Sequence, residues 1–140
     1  MSRNTFESHI ITLFTQLHPL DRIHRAGFLL RGVSECESIA SHMHFVSLLT
    51  LLYTEQYPDY FNKEKAVTMA LIHDLPEAIL MDIPMPVTDT YLKEKKEKAE
   101  NEIFKSLFNK FSRLFDNFSV LYKELIDKET KESRLVAGLA

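Results

Sequence analysis

The sequence predicts an all-α, single-domain helical bundle, and three observations predict it. Its 140 residues contain only three glycines, Gly27, Gly32 and Gly138. Alternating apolar and polar runs of strand length are scarce, and apolar residues instead recur three and four positions apart along almost the whole chain. The length lies near the modal size of one domain, and 45% apolar with 26% charged residues is a globular balance. Residues 1–140 are therefore expected to form one domain of about six helices.

Each element has its own local reason. Phe6, Ile10, Leu13, Phe14 and Leu17 share one face of a first helix, which His18-Pro19 stops because the residue before a proline avoids helical geometry. A loop is expected from residue 19 to about residue 33. Ser34 followed by Glu37 fits a capping box, and Ile39, Met43, Val46, Leu49, Leu52 and Tyr53 then carry a second helix to about Gln56. Asn62 caps a third helix with the apolar face Ala66, Met69, Ala70 and Ile72. Pro76 disfavours helical geometry at Leu75, so His73 and Asp74 fall at that helix's C-terminal end.

Pro76 opens a short turn through Leu80, and Ile83-Pro84-Met85-Pro86 reads as an extended connection. Thr88 or Asp89 caps a long helix. Its mixed-sign run, residues 93–102, reads as a solvated face, with Glu94/Lys98 and Lys98/Glu102 at helical spacing. Ile103, Phe104, Leu107, Phe108 and Phe111 continue it as a core stripe, and residues 115–126 and 130–140 supply two further helices.

The charge balance excludes several function classes. With 17 Lys plus Arg against 20 Asp plus Glu, the formal charge is −3, so nothing favours a nucleic-acid polymer or an anionic membrane surface. Cys36 is the single cysteine, which removes an internal disulfide and a thiolate zinc cage and points to a cytoplasmic location. No apolar run approaches the ~20 residues of a spanning helix.

The residues with chemical potential cluster. His73-Asp74 places an imidazole beside a carboxylate at a helix end, where the two side chains, about 100° apart, can converge on an ion held in the wedge between them. That donor pair suits a divalent transition metal. Glu77 and Asp82 follow within ten residues, and ionised carboxylates beside an apolar helix need partners.

Four segments in order resemble the HD-domain metal-dependent phosphohydrolases. They are Arg25-Ala26-Gly27-Phe28, then Glu37-Ser38-Ile39-Ala40-Ser41-His42-Met43, then Ala70-Leu71-Ile72-His73-Asp74-Leu75-Pro76-Glu77, then Asp82-Ile83-Pro84. Within that superfamily the chain is most similar to the small deoxynucleoside 5′-monophosphatases. The resemblance implies His42, His73 and Asp74 as ligands of a divalent metal ion (Mn, Co, Mg, Fe or Zn). It implies Glu77 as the carboxylate that positions or deprotonates the attacking water, Asp82 as a second carboxylate near the scissile phosphate or sugar, and Arg25 as the phosphate clamp. His44 matches no ligand position and is expected to be structural.

Three departures from the family pattern stand out. Met81 replaces a usual glycine, Phe28 replaces a frequent tryptophan, and counting from Glu132 puts Ala140 where the family carries a fourth ligand, an aspartate. Either that ligand is lost, or the register slips by one and the bundle is truncated. The expected activity is release of the 5′-phosphate from a deoxynucleoside monophosphate, a small-molecule substrate. Two other readings stand beside it: a catalytically impaired HD-fold protein that binds nucleotide or a protein partner, and a helical interaction module with incidental histidines. The phenylalanines of the later helices suggest that some are buried in a homodimer.

Overall fold

A computed structural model describes residues 3–33, 35–83 and 88–140. Helix α1 spans Arg3–Leu17, and Pro19 converts the following residues into a 3-10 turn, His18–Asp21. A short helix α2, Ala26–Leu30, lies inside the segment expected to be loop. Gly32, at φ 82, then turns the chain back where only glycine is unstrained.

Helix α3 spans Ile39–Gln56 and is capped by Ser38, whose side chain accepts from the Ser41 amide. The expected capping box pairing Ser34 with Glu37 falls on Ser34, which is outside the described residues; Glu37 makes other contacts. Helix α4, Lys63–Ile72, starts at the Asn62 cap as expected, with His73 at its C-terminal boundary. Helix α5 is a single turn, Glu77–Leu80. The proline-rich connection expected around Pro84 and Pro86 lies outside the described residues.

The long helix begins as a π-helical turn, Thr88–Leu92, and continues as α6, Lys93–Phe108, one turn shorter than expected. Phe111 sits at the N-cap position of α7, Ser112–Asp127, which ends with Lys128 in the left-handed region. A capping box at Thr130 and Ser133 starts α8, Lys131–Leu139. Six helices of nine residues or more, α1, α3, α4, α6, α7 and α8, thus build the bundle among the described residues, with an isolated bridge between His24 and Ser38 in place of any strand.

Helices α3 and α4 pack along each other, with α7 and α8 across α4 and α6 against α7. The core between them holds Val46, Met69, Phe104, Leu107, Phe108, Tyr122 and Val136, with the Phe104 and Tyr122 rings stacked at 4.2 Å. The later helices therefore bury Phe104, Phe108 and Phe111 in their own chain. Exposed apolar residues include Phe6 and Phe14 on α1, Leu30 on α2, Phe45, Leu48, Leu49, Leu52 and Tyr53 on α3, and Val120 on α7. On α3 the buried positions include Ser47, Thr50 and Thr54, whose hydroxyls donate to carbonyls three or four residues back and so enter the interior without orphaned groups. Among the described residues no helix is long and apolar enough to cross a membrane.

Candidate metal centre

The site forms where three chain segments meet. Residues 23–25 and 37–39 pair as two extended pieces: the Ile39 amide donates to Ile23 O at 2.8 Å and the Arg25 amide to Glu37 O at 3.3 Å. This pairing holds Arg25 beside the start of α3. His42 lies one turn into α3, its amide bonded to Ser38 O, so its ring points back toward the same place. The end of α4 supplies the third piece with His73 and Asp74.

His42, His73 and Asp74 each offer one ligand atom, and these atoms lie within 4.8 Å of one another. Asp74 Oδ2 is 3.0 Å from His73 Nε2 and 3.8 Å from His42 Nε2, and the two rings stand edge to face with centroids 5.8 Å apart. His73 Nδ1 is engaged by the Ala70 carbonyl at 2.6 Å, which leaves Nε2 as its site-facing atom. That Nε2 is buried, and despite its closeness to Asp74 it lacks a hydrogen bond of acceptable geometry. A buried imidazole nitrogen beside a second imidazole and a carboxylate fits a bound divalent cation, because once deprotonated it has a lone pair to give there.

Electrostatics act differently on each group. Burial opposes charge on His73, but the Asp74 carboxylate and the Ala70 carbonyl outweigh it and hold its pKa above the ordinary value. Burial likewise opposes ionisation of Asp74, and its contact with His73 more than offsets this and lowers the pKa. Burial and the nearby Arg25 charge push His42 down, favouring the neutral ring. Glu77 behaves differently: burial first, then the Asp74 and Asp82 charges, push its pKa up to about 9. Its Oε2 is buried without a hydrogen-bond partner.

Arg25, His42, Asp74, Glu77 and Asp82 line one cavity of about 340 Å³, together with Phe28, Lys96 and Ala140. The Arg25 guanidinium lies 5.5 Å over the Phe28 ring. Asp82 Oδ2 accepts from the Ala26 amide at 2.7 Å and so anchors the first turn of α2. A larger cavity of about 550 Å³, which Asp82 also lines, is bounded by Thr15, His18, Arg22 and His24 and, among the described residues, lacks the convergent ligand atoms of the first. His44 is exposed, stacked edge-on against Phe45.

Two contributions escape sequence reasoning. Lys96 and Glu100, inside the run taken for a solvated face, are half-buried and pair at 3.5 Å, with Lys96 lining the cavity. Extending the core stripe of Phe104 and Leu107 backward in steps of three and four reaches these positions, which is the signal that could have found them. Glu37 is the other: its Oε1 lies 3.4 Å from Arg25 Nη1 and 3.3 Å from His42 Nδ1.

A family model described as "HD domain" matches residues 18–139. The chain is 33% identical over 120 residues to 5'-deoxynucleotidase YBR242W of Saccharomyces cerevisiae, covering 86% of this chain and 48% of that protein. It is 30% identical over 111 residues to human 5'-deoxynucleotidase HDDC2, covering 76% and 52% respectively. The chain thus spans about half the length of these curated relatives. Among solved structures, the PH0347 protein of Pyrococcus horikoshii superposes with a TM-score of 0.75 at 35% identity, over 92% of this chain and 70% of that one.

Proposed function

Because the chain belongs to the HD domain family, we propose that it is a metal-dependent phosphomonoester hydrolase that removes the 5′-phosphate of deoxynucleoside monophosphates. The observation that carries this reading is the convergence of His42, His73 and Asp74 beside a buried Glu77 carboxyl in one cavity. The printed names of the relatives, 5'-deoxynucleotidases, support the substrate class. A divalent cation held by His42, His73 and Asp74 would polarise a phosphoryl oxygen and acidify water.

The remaining steps belong to side chains. Arg25 neutralises charge on the phosphoryl group through a guanidinium fork that matches phosphate oxygens. Glu77 accepts the proton of the attacking water in its ionised form, which any positive charge brought into the cavity favours over the neutral one. Asp82 holds the Ala26 amide, keeping Arg25 and Phe28 at the cavity wall, and is the second carboxylate near the phosphate or sugar. No serine or cysteine lines this cavity among the described residues, and direct attack by water needs none.

The test is phosphate release from a panel of deoxynucleoside 5′-monophosphates and their ribose counterparts with added Mn²⁺, Co²⁺ or Mg²⁺. Release from the deoxynucleotides that stops on chelation is expected. Nucleotide binding without release under every metal would instead favour the catalytically impaired reading.

A further inference from the structure

Glu37 touches two members of the site without having a role in the mechanism above. Nδ1 of His42 accepts a hydrogen bond from Arg25 Nη1 at 3.1 Å, and Glu37 Oε1, which also accepts from Arg25 Nη1 at 3.4 Å, lies 3.3 Å from the same Nδ1 at ion-pair distance. That nitrogen therefore meets one group that can only donate, the guanidinium, and one that as a carboxylate can only accept. A neutral imidazole that presents the Nε2 lone pair to a cation carries its proton on Nδ1, and a proton there needs an acceptor. Arg25 cannot supply it. Glu37 can. In the other tautomer Nε2–H faces Asp74 Oδ2 at 3.8 Å, Nδ1 becomes an acceptor, and Arg25 is drawn to the ring.

The position of Glu37 is fixed by the backbone. Its carbonyl accepts from the Arg25 amide, and the next residue, Ser38, caps the helix that carries His42. The carboxylate thus stands beside both side chains because the chain segments bearing them are paired through its own residue.

We propose that Glu37 is a positioning residue of this site: with a cation bound it accepts the Nδ1 proton of His42, turns Nε2 toward the cation position, and through its own contact with Nη1 keeps Arg25 beside the ring at the cavity wall. The inference rests on the metal-dependent reading, and its test separates the two. Zn²⁺ binding is measured by calorimetry on the parent, Glu37→Leu and Glu37→Gln, with long-range ¹H–¹⁵N spectra of the histidine rings and thermal unfolding as a folding control. The side chain is one-third exposed, so neither change opens a core cavity.

The parent is expected to bind Zn²⁺ with His42 protonated at Nδ1. Glu37→Leu is expected to bind about 10–100-fold more weakly, in the range that loss of a ligand's hydrogen-bond partner costs, and to lose the single-tautomer signal of His42. Glu37→Gln keeps a carbonyl acceptor and is expected to lose less. Parental Zn²⁺ affinity and an unchanged His42 spectrum in Glu37→Leu would overturn the proposal alone, as would equal losses in the Leu and Gln variants. A parent chain that takes up no Zn²⁺ would overturn the metal-dependent reading with it.

Discussion

At Glu77, burial and negative neighbours act in the same direction. The side chain is 8% exposed, and its pKa of about 9 stands well above the ordinary 4.5. Without metal, the folded chain keeps a proton that the unfolded chain releases above about pH 4.5. Folding then binds protons, so this group's contribution is greatest at low pH and declines as pH rises from about 4.5 toward 9. Glu77→Gln removes the effect: in the presence of a chelator its Tm relative to the parent should rise across that window, with a larger gain near pH 9 than near pH 5. An identical Tm difference at both ends would contradict the burial argument. The same residue divides binding from turnover. His73→Ala and Asp74→Ala are expected to lose metal on dialysis, whereas Glu77→Ala retains it and loses about 10²–10⁴-fold in phosphate release, the usual worth of a general base. Metal content and rate, measured on the same preparations, check both halves.

At the scale of elements, the turn after α5 matters most to the site. Met81 ends that helix at φ 66, ψ 174, a region essentially reserved for glycine and costing other residues on the order of 1–3 kcal/mol. The next residue is Asp82, whose carboxylate anchors the first turn of α2, so the strained bend aims a site residue. Met81→Gly is expected to stabilise the fold by about 1 kcal/mol, since relief of strain exceeds the extra chain entropy of glycine and the exposed Met81 side chain packs little. Urea unfolding measures it, and a lower midpoint in the variant would refute the strain. That Met81 stands where the resemblance implies a glycine was legible in the sequence. Its energetic meaning was not, because φ at a loop residue depends on where α5 and α2 force the chain to pass.

At the scale of the whole molecule, the site joins distant parts of the chain. Helix α8 packs against α3 and α4, and its final turn leads to Ala140 in the wall of the cavity that holds His42 and Asp74. A carboxylate at that position would add a negative ligand to two imidazoles and one carboxylate. Ala140→Asp is accordingly expected to tighten Mn²⁺ binding by more than the about 10–100-fold associated with indirect ligand partners. Calorimetric titration of both chains tests this, and equal affinities would place any fourth ligand elsewhere.

The sequence by itself determined the helical class, the Asn62 start of α4, the stop at Pro19 and the grouping of His73, Asp74 and Glu77 at one helix end. These are local consequences of 3.6-residue periodicity, capping chemistry and proline geometry. The order of the matching segments also carried Arg25, His42 and Asp82 into the same candidate set. The core stripe of Phe104, Phe108 and Phe111 is buried as periodicity predicts, and only the tertiary structure decided that Leu49, Leu52 and Tyr53 on the apolar positions of α3 face outward. Periodicity names a face but not what covers it. The structure likewise took Lys96 out of a run that reads as solvated and set Glu37 against both Arg25 and His42. Those contacts join residues far apart in sequence, through backbone pairing and helix packing that no local pattern encodes.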